Sequence, residues 1–84
     1  MGDSDMREKI RKYLTQTFIF DEKQQLVDDQ SLLESGVLDS TGVLELIGWI
    51  ETEFEIQFID SELVAGNLDS IDRIIDFINR KRAL

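Results

Sequence analysis

The chain is 84 residues long, 42% hydrophobic and free of proline, and it carries a formal net charge of −9. That length supports one hydrophobic core and hence a single domain over residues 1–84; the lack of both cysteine and histidine excludes disulfides, thiolate chemistry, and the usual zinc ligands and general bases. All nine basic residues lie outside residues 24–72, a stretch holding twelve acids, so the middle of the chain sets up a field of one sign that repels nucleic acid and anionic lipid and steers basic protein surfaces toward it.

In chain order, Asp5 followed three residues later by Glu8 has the pattern of a capping box. Met6, Ile10, Tyr13, Leu14 and Phe18 recur at helical spacing, which predicts a first helix over about residues 5–18. Residues 19–39 lose that period and gather Asp21, Asp28, Asp29, Ser31, Ser35 and Gly36 among the apolar Leu26, Val27, Leu32, Leu33, Val37 and Leu38. So long a connection is uncommon unless it packs on the core or has a function. The expectation is an ordered loop that crosses the domain with its leucines inward and a short turn at Leu32-Leu33.

A second helix is predicted from about Thr41 to Phe54. On it Val43, Leu46, Ile47, Ile50 and Phe54 share one arc about 100° wide, the core face, while Leu44, Glu45, Gly48, Glu51 and Thr52 share another that faces water. Leu44 set among acids, with Gly48 leaving a shallow gap one turn later, makes a protein-docking strip. Trp49 falls between the two faces, where its indole covers the edge of the core and its N–H reaches water or a partner.

The alternation over residues 54–59 suggests a strand, yet a lone strand in so small a domain has no pairing partner, so residues 55–59 are expected to be an extended connection. Asp60 or Ser61 is expected to cap a short helical turn that runs through Ala65 and stops at Gly66-Asn67. Asp69-Ser70 then caps a last helix with Ile71, Ile74, Ile75 and Ile78 on one stripe, Phe77 at its margin, and Arg80, Lys81 and Arg82 complementing the dipole at its end. The predicted fold is all-α, a small four-helix bundle of three main helices plus one short helix, with a long ordered loop after helix one. No run approaches the roughly eighteen apolar residues of a membrane span. Residues 1–5 lack the basic flank and apolar stretch of a secretory signal, so a cytoplasmic monomer is expected.

Ser40 stands where the irregular segment hands over to the acidic helix, and its hydroxyl has two possible meanings. As an N-cap it accepts a hydrogen bond from the first turn, a contribution of roughly 0.5–2 kcal/mol, and need do nothing else. As an attachment point it places an esterified anion beside unsatisfied N–H groups and the positive end of the helix dipole. It has no histidine to activate it, and no motif links it to Lys9, Lys12, Lys23 or Lys81, so no catalytic residue is expected and the chain is not read as an enzyme. No Asp-x-Asp/Asn-x-Asp/Asn-Gly loop is present, which leaves no expected metal site.

Gly36-Val37-Leu38-Asp39-Ser40, its spacing to Val43-Leu44-Glu45-Leu46-Ile47, the Glu51-Thr52-Glu53-Phe54-Glu55-Ile56 ending and the late Asn67-Leu68-Asp69-Ser70 together resemble the acyl carrier protein family, including its peptidyl and aminoacyl carriers. The resemblance implies that Ser40 is esterified with 4′-phosphopantetheine from coenzyme A by a phosphopantetheinyl transferase. It also implies that the arm's thiol holds acyl or aminoacyl groups as thioesters for loading and transfer enzymes with basic docking surfaces. Asp39 is then the motif residue that orients the transferase, its magnesium or the helix start, and Leu44, Glu45, Gly48 and Glu51 form the partner-facing strip. Asp69-Ser70 repeats the dipeptide, but its helix carries Arg73 in the first turn and ends in three basic residues, so capping is the better account there.

Thr41 and Gly42 stand where family members serving fatty-acid synthesis commonly have leucine or methionine and then an acid, Gly48 where they often have methionine, and Trp49 where they have a small residue. These departures lean the reading toward a stand-alone carrier of a specialised pathway (polyketide, nonribosomal peptide, aminoacyl or lipid-modifying) over a housekeeping fatty-acid carrier. A purely structural acidic interaction module, with Ser40 only a cap, is the alternative from another class.

Overall fold

A computed structural model of the chain describes residues 2–19 and 26–83. Three α-helices carry the fold: α1 (Asp3–Phe18), α2 (Ser40–Phe54) and α3 (Ile71–Arg82). Each buries an apolar stripe. Met6, Ile10 and Leu14 do so at four-residue spacing on α1, Leu46, Ile50 and Phe54 at the same spacing on α2, and Ile71, Ile74, Ile75, Phe77 and Ile78 on α3. Burial of each such side chain contributes about 1.5–3 kcal/mol relative to exposure, so the predicted core faces are also the main source of stability. Among the described residues there is no strand, and no helix is long and apolar enough to cross a membrane.

Several ends differ from the sequence expectation. The first helix begins at Asp3, with Gly2 as its cap and no side-chain cap hydrogen bond, so the Asp5–Glu8 capping box does not form. Met6 N–H already bonds the Gly2 carbonyl, which puts Asp5 inside the first turn, where a carboxylate favours the dipole and caps nothing. The expected short fourth helix is two separate 3₁₀ turns, Asp60–Glu62 and Ala65–Asn67, with Leu63 and Val64 exposed between them. Neither Asp60 nor Ser61 caps the first of these. It follows Ile59, whose N–H donates to the Glu62 carboxylate at 2.9 Å.

The connection into α2 is ordered where it is described, with Leu26, Leu32, Val37 and Leu38 buried, Leu33 half-buried and Val27 58% exposed. The part of the predicted loop over residues 20–25 lies outside the described residues. A single turn, closed by Ser35 N–H on the Ser31 carbonyl, ends at Gly36 with φ +82, a left-handed geometry that favours glycine. What holds this turn is Asp69. Its carboxylate accepts from Ser31 Oγ at 2.8 and 2.9 Å and from Leu33 N–H at 3.0 Å, and its carbonyl accepts from Leu32 N–H at 2.6 Å. Asp69 therefore does not cap α3. Ser70 does so alone, accepting from Arg73 N–H at 3.1 Å.

A second tie joins the same connection to α1. Arg7 donates to Asp28 at 2.9 Å and to Asp72 at 2.5 Å, and Arg11 donates to Asp28 and to the Leu26 carbonyl. Of the extended connection expected over residues 55–59, Glu55 departs, ending α2 in left-handed geometry (φ 55, ψ 47), while residues 56–59 run on as neither helix nor strand. That stretch is anchored by Phe58, which stacks on Phe77 with ring centroids 4.7 Å apart and gives its N–H to Glu51 at 3.0 Å.

Two predictions follow from these ties. Asp69→Ala should lower the unfolding free energy by about 1–3 kcal/mol in urea denaturation, because it leaves the Ser31 hydroxyl and Leu33 N–H without their acceptor. Glu62 is held below the ordinary carboxylate range by the Ile59 N–H and then by Lys81, 2.9 Å away. A carboxyl lowered in the folded state stabilises above its unfolded pKa, and that contribution fades as pH falls through the folded value. The Glu62→Gln variant should therefore show a flatter loss of melting temperature on acidification than the parent chain.

Candidate functional site

The sequence places its most informative serine at the start of α2, and the local structure follows from the segment before it. Val37 and Leu38 are buried and Leu38 N–H bonds the Leu32 carbonyl at 3.0 Å, which fixes where Asp39 emerges. Asp39 is extended (φ −116, ψ −175); its Oδ1 accepts from Gly42 N–H at 2.7 Å, and its carbonyl accepts from Val43 N–H at 2.9 Å. Asp39 is thus the N-cap, and α2 starts at Ser40 rather than Thr41. Of the two meanings open to Ser40, the cap falls to Asp39 instead. As the first helical residue it is exposed, and its hydroxyl makes no hydrogen bond among the described residues.

The two Asp-Ser pairs end in opposite arrangements. Ser70 is only 4% exposed and its oxygen is engaged as a cap. Ser40 is free at the surface beside its capping aspartate.

Four residues were expected on the partner-facing strip. Leu44 is 69% exposed, Glu45 and Gly48 are exposed, and nothing stands within 4 Å of where a Gly48 Cβ would sit, so the strip is open there. Glu51 departs from the expectation, since it is half-buried and its carboxylate holds Phe58 N–H. Trp49 covers the core edge, stacked on Tyr13 at 4.1 Å and edge-on to Phe54 at 5.6 Å. Tyr13 brings α1 against this face. Its phenol is pushed above its ordinary pKa, first by burial and then by the Glu45 carboxylate, with a hydrogen bond from Thr17 opposing.

Sequence reasoning missed what lies on the other side of Ser40. Gly42 is buried, and a Cβ there would stand 3.1 Å from Phe18 Cε1 and 3.3 Å from Asp39 Oδ1. The last turn of α1 consequently rests directly on the first turn of α2. Between them opens a cleft of about 360 Å³ lined by Thr17, Phe18, Gly36, Val37, Asp39, Thr41, Gly42 and Glu45. The available signal was a glycine in a helical first turn, a residue that costs about 0.5–1 kcal/mol relative to alanine and so marks a packing reason. Among the described residues no group of acidic side chains is gathered closely enough to hold a metal ion.

No family model matches the chain. It is 31% identical over 78 residues to a D-alanyl carrier protein of Streptococcus mutans, covering 93% of this chain and 96% of that protein. It is 30% identical to an acyl carrier protein of Buchnera aphidicola subsp. Schizaphis graminum, covering 93% and 95%, and 34% identical over 71 residues to a D-alanyl carrier protein of Streptococcus suis, covering 84% and 87%.

The cap assignment is testable on its own. Asp39→Ala should destabilise the chain by roughly 0.5–2 kcal/mol and Asp39→Asn by much less, since Asn caps nearly as well. Ser40→Ala should change unfolding by no more than about 0.5 kcal/mol, as for a surface hydroxyl without a partner. Urea denaturation of the three variants checks the order.

Proposed function

The chain belongs to the acyl carrier protein family, and from that premise we propose that Ser40 is the attachment point of a 4′-phosphopantetheine arm on which the protein carries activated groups between enzymes. One observation carries this reading: an exposed serine, with no hydrogen bond to its hydroxyl among the described residues, at the first position of a helix whose cap is the preceding aspartate. The cap leaves the hydroxyl available. The end of the helix presents its N–H groups and positive dipole to whatever anion is bonded there, which favours a phosphodiester by about 0.3–1 kcal/mol at an exposed site.

The attachment step balances as a substitution at phosphorus. Ser40 Oγ forms a P–O bond to the phosphate that bears the pantetheine of coenzyme A, the pyrophosphate P–O bond breaks, and adenosine 3′,5′-bisphosphate leaves. The serine proton passes to a base on the transferase, since the chain has no histidine and no thiolate of its own. Once bound, the arm supplies a thiol that forms thioesters, activated for acyl transfer by partner enzymes. The chain's part is to present the arm beside Asp39 and Glu45, neither of which makes an ion pair among the described residues, and to offer Leu44 as an apolar contact. Weak, salt-sensitive docking on such a surface suits a carrier that must leave one enzyme for the next.

The cargo we propose is aminoacyl, in a carrier of a specialised cytoplasmic pathway. Two of the relatives above are D-alanyl carriers by name, and Thr41-Gly42 departs from the apolar-then-acidic pair of fatty-acid carriers. The relative in Buchnera, named an acyl carrier protein, keeps an acyl cargo as the second reading.

Incubation with coenzyme A, magnesium and a broad-range phosphopantetheinyl transferase should add the mass of one phosphopantetheine, mapped to the peptide containing Ser40. Ser40→Ala should abolish the gain and Ser70→Ala should leave it intact. A gain that persists in Ser40→Ala, or none in the parent chain, refutes the assignment.

A further inference from the structure

Ser40 is connected to the start of α3 through a single residue of the turn before it. Leu32 gives its N–H to the Asp69 carbonyl at 2.6 Å, and its own carbonyl takes Leu38 N–H at 3.0 Å, two places before Ser40 in the chain. The same carbonyl accepts from Ser35 Oγ at 3.2 Å. Leu32 is fully buried, so water does not compete for these bonds.

The side chain of Asp69 holds the rest of that turn. Its Oδ1 accepts from both Ser31 Oγ at 2.9 Å and Leu33 N–H at 3.0 Å, and its Oδ2 lies 2.8 Å from Ser31 Oγ. Ser31 Oγ in turn accepts from Glu34 N–H at 3.1 Å, so one carboxylate organises Ser31, Leu33 and Glu34. Hydrogen bonds to an ionised acceptor are about twice as strong as those between neutral groups, and the bonds that close the turn on itself, Ser35 N–H to the Ser31 carbonyl and Gly36 N–H to the Leu33 carbonyl, are of the neutral kind. Earlier in the connection, the Asp28 carbonyl takes Asp72 N–H at 3.0 Å. The first turn of α3 is therefore the frame against which the approach to Asp39 and Ser40 is set.

Resting on the attachment reading above, we infer that Asp69 is a positioning residue for the modification of Ser40. It touches no reacting atom; it fixes where the Ser40 hydroxyl stands when the phosphorus of coenzyme A is presented to it. The body of α2 is held by other means, with Leu46, Ile50 and Phe54 in the core, so loosening the clamp displaces Ser40 without moving the exposed Leu44 and Gly48. Loss of Asp69 thus acts on the rate of transfer and not on docking.

The test is the steady-state kinetics of transfer from coenzyme A by a broad-range phosphopantetheinyl transferase, with the carrier as the varied substrate and each variant shown by circular dichroism to be folded at the assay temperature. Asp69→Ala should lower kcat at least about fivefold, well within what misplacement of a reacting group produces, and leave KM within about twofold. Asp69→Asn keeps Oδ1, the oxygen that serves both donors, and should bring kcat back to within about twofold of the parent. Ile78→Val weakens the core near the other end of α3 and should leave both constants within about twofold of the parent. Ser31→Ala removes one of the two donors and should lower kcat about threefold, which serves if Asp69→Ala does not fold. Unchanged kcat in Asp69→Ala, or in Ser31→Ala where that variant stands in for it, overturns the inference while leaving the attachment reading in place. So does a loss carried by KM instead, or an equal fall in Ile78→Val. Failure of the parent chain to be modified at Ser40 removes both.

Discussion

The position of Ser40 depends on a carboxylate twenty-nine residues further along the chain. Asp69 closes on Ser31 and Leu33, and its carbonyl takes Leu32 N–H, so the turn before α2 is fastened to the start of α3 before α2 begins. Without that fastening the part of the connection nearest α2 would be held chiefly by the buried Leu32, Val37 and Leu38, the Arg7 and Arg11 tie lying further back at Leu26 and Asp28. Buried leucines fix depth but not register, whereas hydrogen bonds from both a side chain and a backbone N–H to one carboxylate fix both. From there Gly36 turns the chain, Leu38 drops into the core, and Asp39 reaches the place where it can cap.

The charge pattern changes meaning in three dimensions. Along the sequence the middle of the chain is a block of acid without a single base, but α1 and α3 lend their cations to its borders. Asp28 and Asp72 meet Arg7, Glu53 meets Lys9 and Glu62 meets Lys81. Such pairs at the surface are individually worth about 0–1 kcal/mol, so their greater effect is on the field rather than on stability. They neutralise acids near the bundle's flanks and leave Asp39 and Glu45 beside Ser40 without an ion pair among the described residues.

Helical periodicity was sufficient to read the core. Every residue placed on the predicted core stripe of α3 is buried, as are Met6, Ile10 and Leu14 of α1 and Leu46, Ile50 and Phe54 of α2, because burial of one face is what makes such helices form in a protein this small. Val43 and Ile47, at the edge of the arc, are only half-buried. Boundaries were less legible, since they depend on contacts between distant residues. Asp5 had the right neighbour for a capping box, yet the helix had already begun at Asp3. Glu51 looked solvated from its position on the helical wheel, and only the path of residues 55–58 made it a backbone acceptor. Of the cleft only Gly42 gave a hint, because Thr17 and Phe18 meet Asp39 and Gly42 only after the long connection has folded back.

The repeated Asp-Ser pair shows how a single residue of register separates structure from function. Both pairs precede a helix, and in both the cap accepts from the N–H three residues on. At α3, Asp69 is drawn away to the Ser31–Leu33 turn and Ile71 must be inside the helix to be fully buried, so the serine is left to cap and is buried in doing so. At α2 the aspartate has no competing donor among the described residues, and its Oδ1 takes Gly42 N–H at 2.7 Å, so the aspartate caps and the serine moves one place into the helix. A cap oxygen is occupied by the bond that makes it a cap; the first helical side chain is not. Identical dipeptides therefore yield one hydroxyl consumed by the fold and one left open to chemistry, and what decides between them is whether the aspartate is needed elsewhere.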